Sequence, residues 1–153
     1  MMRPTSSGPE WIEIYNPNDF ALALRGWSLN HTFSSGGTNL LFKEGVISGH
    51  SVLLLTGDAS SQASGNASQV LDLSQDSFLG VGSIDLLHDS SGTLSLRYTQ
   101  LDEAQPYDIM SVKWGVGTDL FTSLGQSLVA ERNPSGFGAN WSTQQTPTPG
   151  DYL

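Results

Sequence analysis

Two stretches decide the fold, Glu10-Trp11-Ile12-Glu13-Ile14-Tyr15-Asn16-Pro17 and Leu24-Arg25-Gly26-Trp27-Ser28-Leu29. In the first stretch Ile12 and Ile14 alternate with larger or charged residues, which is the period-two pattern of a strand. Trp11 shares a face of that strand with the charged Glu13, so we expect Trp11 to be partly exposed. The second stretch predicts another strand, antiparallel to the first, and together they open a β-sandwich.

The residues between these strands predict a tight connection. Asn16-Pro17-Asn18-Asp19 is typical of a turn, because proline fixes φ and lacks a donor, while asparagine and aspartate side chains close local hydrogen bonds. Gly26 permits a backbone bend immediately before Trp27, where a bulky ring has to turn inward. Both features are typical of a domain built from short strands.

These residues resemble the lamin tail domain, the immunoglobulin-like module first known from nuclear intermediate filaments and common in secreted bacterial and archaeal proteins. The prokaryotic pattern runs roughly E-W-I-E-L-Y-N-P, then a turn and L-x-G-W-x-L. Residues 43–55 are similar to its middle section, and residues 127–132, 141 and 148–150 are similar to its end. The motif residues, for which the resemblance implies structural roles, are Glu10, Trp11, Glu13, Tyr15, Asn16, Pro17, Gly26, Trp27, Leu29, Gly45, Gly49, Arg132, Trp141, Pro149 and Gly150.

The composition independently favours one all-β domain over residues 1–153. A chain of 153 residues buries ~70% of its unfolded surface on folding, so it can form a sufficient core although it has no cysteine for disulfides. Seventeen glycines and seven prolines divide it into short apolar runs without sustained helical periodicity. We therefore predict an immunoglobulin-like antiparallel β-sandwich, with residues 133–153 as an irregular tail packed on the body.

Alternation and turn signals place the individual strands and the core. Strands are predicted over residues 28–33, 40–42, 69–73, 83–88, 93–99 and 108–114, with Ser34-Ser35-Gly36-Gly37 as a turn. The apolar run 52–55 is a buried strand by its length. The predicted inward-facing residues are Ile12, Ile14, Leu29, Val52, Leu54, Leu86, Leu94 and Leu96.

The beginning of the chain departs from the family pattern. Family members normally open with a strand of the form V-I-x-E-V-M-x-x-P, whereas residues 1–9 match only the end of that strand and the loop after it. We therefore expect a truncated first strand, either because the domain is cut from a longer polypeptide or because the start codon is placed too late. A first strand that is naturally short is the alternative. The sheet edge left open would offer unpaired backbone groups to a second copy of the chain, giving a homodimer.

The sequence shows no pattern of catalytic or metal-ligating residues. His31, His50 and His88 lie far apart and do not form an H-x-H or H-E-x-x-H spacing. We expect His31 and His88 near strand ends and His50 in a turn, where an isolated histidine is usually solvated. The G-x-S-x-G elbow of serine hydrolases is also absent. The chain is therefore expected to be neither an enzyme nor cofactor-dependent, although a catalytic part could lie outside it.

The carboxylates leave one alternative open. Eight of them outnumber the cations nearby: Asp72, Asp76, Asp85, Asp89, Asp102, Glu103, Asp108 and Asp119. Calcium prefers clusters of carboxylate and carbonyl oxygens, but the D-x-[DN]-x-[DN]-G pattern of a calcium loop does not occur. A solvated acidic face is the preferred interpretation, and calcium binding is the alternative.

The aromatic residues leave a second alternative open. Seven of them are candidates for a platform on which sugars stack: Trp11, Trp27, Trp114, Trp141, Tyr15, Tyr98 and Tyr107. Packing in the core is the competing interpretation, because large aromatic side chains dominate core energetics.

Charge and hydropathy exclude other classes of function. Fifteen acidic residues and only six scattered basic residues give a formal charge of −9, which opposes nucleic-acid binding. No apolar run approaches the ~20 residues of a membrane-spanning helix. The surface is polar but weakly charged, with 14% charged residues in the chain, which favours an extracellular or cell-surface location.

Together these features predict a non-catalytic interaction or anchoring module of a larger secreted or surface protein. Its partner would be a protein or a cell-surface polymer. The alternatives are a carbohydrate-binding module that uses exposed aromatics and an accessory domain of a secreted hydrolase or nuclease.

The charge makes one expectation directly testable. We predict that the chain binds neither DNA nor RNA at physiological ionic strength, about 0.15 M, because its acidic field repels a polyanion. A gel-shift titration, with a basic nucleic-acid-binding protein as positive control, measures this. Micromolar affinity for either nucleic acid would contradict the prediction.

Overall fold

The fold is all-β in the computed structural model, which describes residues 10–34, 36–57, 65–73, 91–100, 104–115, 127–131 and 140–144. These residues form strands and no helix. The strands are β1 (Trp11–Asn16), β2 (Leu22–Ala23), β3 (Trp27–Phe33), β4 (Gly36–Leu41), β5 (Val46–Ile47), β6 (Ser51–Thr56), β7 (Gln69–Asp72), β8 (Gly92–Tyr98), β9 (Tyr107–Trp114), β10 (Ser127–Glu131) and β11 (Asn140–Gln144). None of the described ranges contains a helix long and apolar enough to cross a membrane.

Two sheets make up most of the described structure. One has the strand order β1-β6-β7 and the other the order β4-β3-β8-β9, while β2 pairs with β5 and β10 with β11. The prediction of a purely antiparallel arrangement is wrong for β6 and β7, which run parallel. Parallel neighbours need a connection of about a dozen residues or more. The twelve residues between Thr56 and Gln69 meet that length.

The two strands quoted at the outset lie in different sheets. The sequence predicts that they run antiparallel to each other, but β1 pairs with β6, and β3 pairs with β4 and β8. Between them the backbone N–H of Leu24 donates to the Gly45 carbonyl, and that of Trp27 donates to the Leu24 carbonyl, both at 2.9 Å. The chain is thereby tied to the segment before β5 rather than folded back on β1.

Hairpin β3–β4 has a shorter turn than the sequence predicts. Phe33 pairs with Gly36, and Thr32 pairs with Gly37, so both glycines belong to β4. Only two residues remain for the turn, which is the commonest length in hairpins. Strand β4 therefore begins earlier than the predicted strand 40–42.

The predicted irregular tail contains a strand. Asn140–Gln144 forms β11 and pairs antiparallel with Ser127–Glu131 of β10. The prolines and glycines that suggested an irregular tail lie on either side of β11 and not within it. The rest of the tail, residues 1–9 and the predicted strand 83–88 are outside the described residues.

One hydrophobic core receives side chains from both large sheets. It contains Ile12, Leu24, Leu29, Leu40, Phe42, Ile47, Leu53, Leu55, Leu71, Leu94, Val112 and Trp114. The predicted burial is confirmed for Ile12, Leu29, Val52, Leu54 and Leu94, whereas Ile14 and Leu96 are partly buried and Leu86 is outside the described residues. Each fully buried leucine or isoleucine stabilises the fold by ~1.5–3 kcal/mol relative to exposure.

Strand β6 is buried on both faces, which corrects the assignment of Trp11. Ile12 pairs with Leu55, and these side chains face the core, whereas Trp11 pairs with Thr56 on the opposite face. Trp11 is only 3% exposed and Thr56 is fully buried, so the second face of this sheet is covered as well. Leu54 lies on that second face and not on the Ile12 face, although the sequence assigns both to one core. Sharing a face with Glu13 therefore does not expose Trp11.

The burial of Leu54 leads to a stability prediction. Leu54→Ala should lower the free energy of unfolding by ~2–5 kcal/mol, because the side chain is fully buried and its truncation leaves a cavity. Leu41→Ala, the same change at a 43% exposed position of β4, is the matched control and should cost about 0.5 kcal/mol or less. Urea denaturation measures both variants. Equal losses would contradict the burial of Leu54.

Candidate functional site

A buried asparagine organises the corner where β1 ends. The Asn16 side chain is fully buried, and its Nδ2 donates to the carbonyl oxygens of Phe20 at 2.8 Å, Ile47 at 3.0 Å and Ser48 at 3.1 Å. Since the amide has two N–H groups, one of them is shared between two carbonyls. Its Oδ1 accepts from the backbone N–H of Asn18 at 3.1 Å and from the Asn18 Nδ2 at 2.9 Å. One side chain thus satisfies backbone groups of two separate segments.

Two turns pack directly on each other around this amide, and we call residues 17–20 and 48–50 the paired turns. The backbone N–H of His50 donates to the Asn18 carbonyl at 3.1 Å. A Cβ atom at Gly49 would lie 2.7 Å from the carbonyl carbon and oxygen of Asp19. Position 49 therefore accepts only glycine without displacement of the opposite turn.

The paired turns bring together an aspartate, a histidine and a tyrosine. The Nε2 of His50 lies 2.6 Å from the Oδ1 of Asp19, and the Tyr15 hydroxyl lies 3.4 Å from the Nδ1. In the neutral imidazole the Nε2–H donates a hydrogen bond to the Asp19 carboxylate, which leaves Nδ1 to accept one from the Tyr15 hydroxyl. His50 has a φ of +51°, a conformation that is strained for a residue other than glycine. Strain of this kind persists only where the surroundings impose it.

The contact between Asp19 and His50 is open to solvent. The side chains of His50 and Asp19 are 57% and 97% exposed, so water surrounds both groups. A contact this exposed adds little to stability, even when the imidazole is protonated and the two groups form an ion pair. Within the described ranges, no group of three or more His, Cys, Asp or Glu side chains is placed to hold a metal ion.

Exposed apolar side chains lie beside this polar cluster. Phe20 is 65% exposed, and its backbone is held by the Asn16 amide that also binds the Ile47 carbonyl. Val46 precedes Ile47, is 52% exposed and pairs with the exposed Ala23. We call Phe20, Ala23 and Val46 the Phe20 corner. A fixed backbone thus presents a phenylalanine and a valine to solvent next to hydrogen-bonding groups.

The remaining motif residues support the backbone elsewhere. Gly26 and Gly45 have positive φ angles of 89° and 119°. The Trp27 ring packs on Tyr98 with centroids 5.2 Å apart, and Leu29 is in the core. Other motif positions are Glu10, Glu13 and Tyr15, which are partly buried, and Pro17, which is exposed. Trp141 lies in β11, and Arg132, Pro149 and Gly150 are outside the described residues.

Two of the three histidines lie among the described residues. His50 lies in a turn and is exposed, as predicted. His31 lies two residues before the end of β3, as predicted, and it is buried and stacks on Trp114 with centroids 5.3 Å apart. Aromatic neighbours on the core face explain why this polar ring is covered. His88 is outside the described residues.

Two of the eight candidate carboxylates lie among the described residues, and the described aromatic residues occupy different environments. Asp72 ends β7, and Asp108 accepts a hydrogen bond from the Arg97 Nε at 2.5 Å. The other candidate carboxylates, Asp76, Asp85, Asp89, Asp102, Glu103 and Asp119, are outside the described residues. Of the aromatics, Trp11 and Trp114 are buried, Trp27 is packed against the core, and Tyr107 is 47% exposed.

Sequence reasoning missed Asp19, Phe20 and His50 as members of one cluster. Their neighbours Asn16 and Gly49 are motif residues, so a search around motif positions for exposed side chains would have found them. Comparison with protein-family models, curated proteins and solved structures finds no match to this chain.

The Asn16 amide leads to a sharp stability prediction. Asn16→Asp keeps the shape of the side chain but places an oxygen where Nδ2 now donates to three carbonyls, so it should cost about 3 kcal/mol or more. Asn39→Asp is the same change at an exposed position of β4 and should cost about 1 kcal/mol or less. Thermal and urea denaturation of both variants measure this. A loss for Asn16→Asp as small as that of the control would mean that the amide does not organise the corner.

Proposed function

We propose that this chain is a lamin-tail-like, immunoglobulin-like β-sandwich that acts as a non-catalytic binding or anchoring module of a larger secreted or surface protein. The observation that supports this most directly is the Phe20 corner, an exposed apolar surface on a backbone fixed by the Asn16 amide. The partner that fits such a surface best is a protein. A cell-surface polymer is the alternative partner.

The packing of the sheets supports the sandwich. Sheet β1-β6-β7 contributes Ile12, Leu53 and Leu55 to the same core that receives Leu29 and Leu94 from sheet β4-β3-β8-β9. Two sheets that share one apolar core between inward-facing side chains are the basis of a β-sandwich. The parallel pair β6–β7 is compatible with such a domain, because mixed sheets are common.

The chemistry of the Phe20 corner supports a binding role. An aromatic anchor surrounded by polar groups is the composition typical of protein-interaction hot spots. Here the polar groups are the Asp19 carboxylate and the His50 imidazole, which are held against each other. Because the backbone under Phe20 is already ordered, binding would cost little conformational entropy.

The polar, weakly charged composition supports a place outside the cytosol. Only 14% of the residues are charged, so much of the surface is polar but uncharged. The formal charge of −9 keeps such a domain soluble at high local density on a surface.

A cell-binding titration tests the proposal. Labelled chain is titrated onto cells of the organism that encodes it, and we expect saturable binding that Phe20→Ser weakens by about tenfold or more through loss of the anchor. Leu41→Ser is the matched control, since Leu41 is an exposed apolar residue of β4 outside the corner, and it should leave the affinity unchanged.

The partner class is read from a protease-treated sample of the same cells. Loss of binding after treatment indicates a protein partner, whereas binding that survives indicates a polymer. Absence of saturable binding, or equal losses for Phe20→Ser and Leu41→Ser, would overturn the proposed role of the Phe20 corner.

A further inference from the structure

Three aromatic side chains form a row across sheet β4-β3-β8-β9, and we call Trp27, Tyr98 and Tyr107 the aromatic row. Trp27 pairs with Tyr98, and Tyr98 pairs with Tyr107, so the three side chains stand next to each other on one face of the sheet. The rings of Trp27 and Tyr98 have centroids 5.2 Å apart and are tilted by 49°. Both residues are partly buried, and Tyr107 is 47% exposed. A ligand can therefore reach the row from solvent.

The backbone beside Trp27 holds the Tyr98 ring in place. The Gly26 carbonyl accepts a hydrogen bond from the Thr99 N–H at 2.9 Å. A Cβ atom at position 26 would lie 2.9 Å from the Thr99 carbonyl oxygen and 3.3 Å from the Tyr98 Cε2. Glycine is therefore what allows the Tyr98 ring to pack this close to the backbone before Trp27. The first two rings of the row are fixed before a ligand arrives, which lowers the entropic cost of binding.

Two members of the row present a polar tip to solvent. The Trp27 Nε1 and the Tyr98 hydroxyl make no hydrogen bond within the described ranges, and neither is a buried atom. The indole N–H is a donor only, and the phenol both donates and accepts. The row thus combines apolar ring faces with hydrogen-bond donors that a ligand can use.

We propose that the aromatic row binds a proline-rich segment of a partner protein in the polyproline II conformation, with an acidic residue beside its prolines. Such a segment has no internal hydrogen bonds, so its carbonyl groups can accept from the indole and phenol donors while its proline rings pack against the aromatic rings. Its conformation is preformed, so little entropy is lost on binding. The inference goes beyond the Phe20 corner, because the row and the corner share no residue.

The spacing of the row matches the repeat of this conformation. Neighbouring strands lie ~4.8 Å apart, so the backbones at Trp27 and Tyr107, which are two strands apart, are separated by ~9.6 Å. One turn of a polyproline II helix contains three residues and rises ~9.3 Å. Prolines three positions apart therefore reach the two ends of the row. The tilt between Trp27 and Tyr98 favours a proline ring entering the angle between them over a sugar ring stacked flat on one aromatic face.

The charges at the Trp27 end of the row favour an acidic residue in the ligand. Arg25 lies two residues before Trp27, is exposed and has no ion pair within the described part of the chain. Lys43 is also exposed and follows Phe42, whose N–H donates to the Trp27 carbonyl at 3.0 Å. With the exposed Glu44 beside Lys43, this end keeps a net positive charge, although the chain has a formal charge of −9. A carboxylate next to the prolines complements it.

Nuclear magnetic resonance titration tests the proposal with three peptides of equal length: polyproline ending in glutamate, polyproline ending in lysine, and a glycine–serine peptide. We expect both proline peptides to shift the Trp27 indole N–H resonance saturably, and the glycine–serine peptide to leave it in place. The glutamate peptide should bind about two- to fivefold more tightly than the lysine peptide. Cellohexaose is titrated separately, and a shift with this sugar in place of the proline peptides would indicate a sugar platform and overturn the proposal.

Variants of the row separate the ring contacts from the hydrogen bonds. Tyr107→Ser removes an exposed ring and should weaken binding of the proline peptides about tenfold, whereas Phe20→Ser, the loss of a 65% exposed ring outside the row, should leave it unchanged. Tyr98→Phe removes only a hydroxyl and should weaken binding about three- to tenfold, with Tyr15→Phe as its matched control. Thermal denaturation establishes that each variant is folded. Since Phe20→Ser affects only the Phe20 corner, failure of the corner and failure of the row are distinguishable.

Two charge variants test how the peptide lies on the row. Arg25→Gln should reduce the preference for the glutamate peptide, whereas Lys113→Gln, an equal loss of charge at an exposed position of β9 outside the row, should preserve it. The proposal is overturned if neither proline peptide binds, if the glycine–serine peptide binds equally well, if the control variants weaken binding as strongly as the row variants, or if Lys113→Gln acts as strongly as Arg25→Gln.

Discussion

The buried Asn16 amide is the interaction on which the arrangement of the described strands depends. It lies at the end of β1, and its hydrogen bonds reach the turn after β1 and the end of β5. An unpaired backbone carbonyl in this partly buried corner would cost about 1–3 kcal/mol. Only a short primary amide offers donors on one branch and an acceptor on the other. A single side chain therefore couples the β1–β6 pair to the β2–β5 pair.

This coupling also helps to set the register of β6. Residues 52–55 are all buried and all apolar, so a slip by one residue would exchange one hydrophobic face for another. Hydrophobicity alone therefore specifies this register weakly. Asn16 pairs with Ser51, one residue beyond the paired turn that holds Gly49 and His50. Fixing the two turns against each other places Leu53 and Leu55 opposite Ile14 and Ile12.

Local sequence patterns predicted the strands well. They could not predict which residues distant in the sequence contact each strand. Alternation correctly placed Ile12 and Leu29 in the core, but it reports only which residues share a face, not what covers it, so Trp11 was misassigned. The place of Asn16 in a turn could be predicted from the residues that follow it in the sequence. Its contact with β5 was not, because nothing local links it to Ile47. For the same reason the contact between Asp19 and His50 could not be predicted, because the two residues belong to different turns.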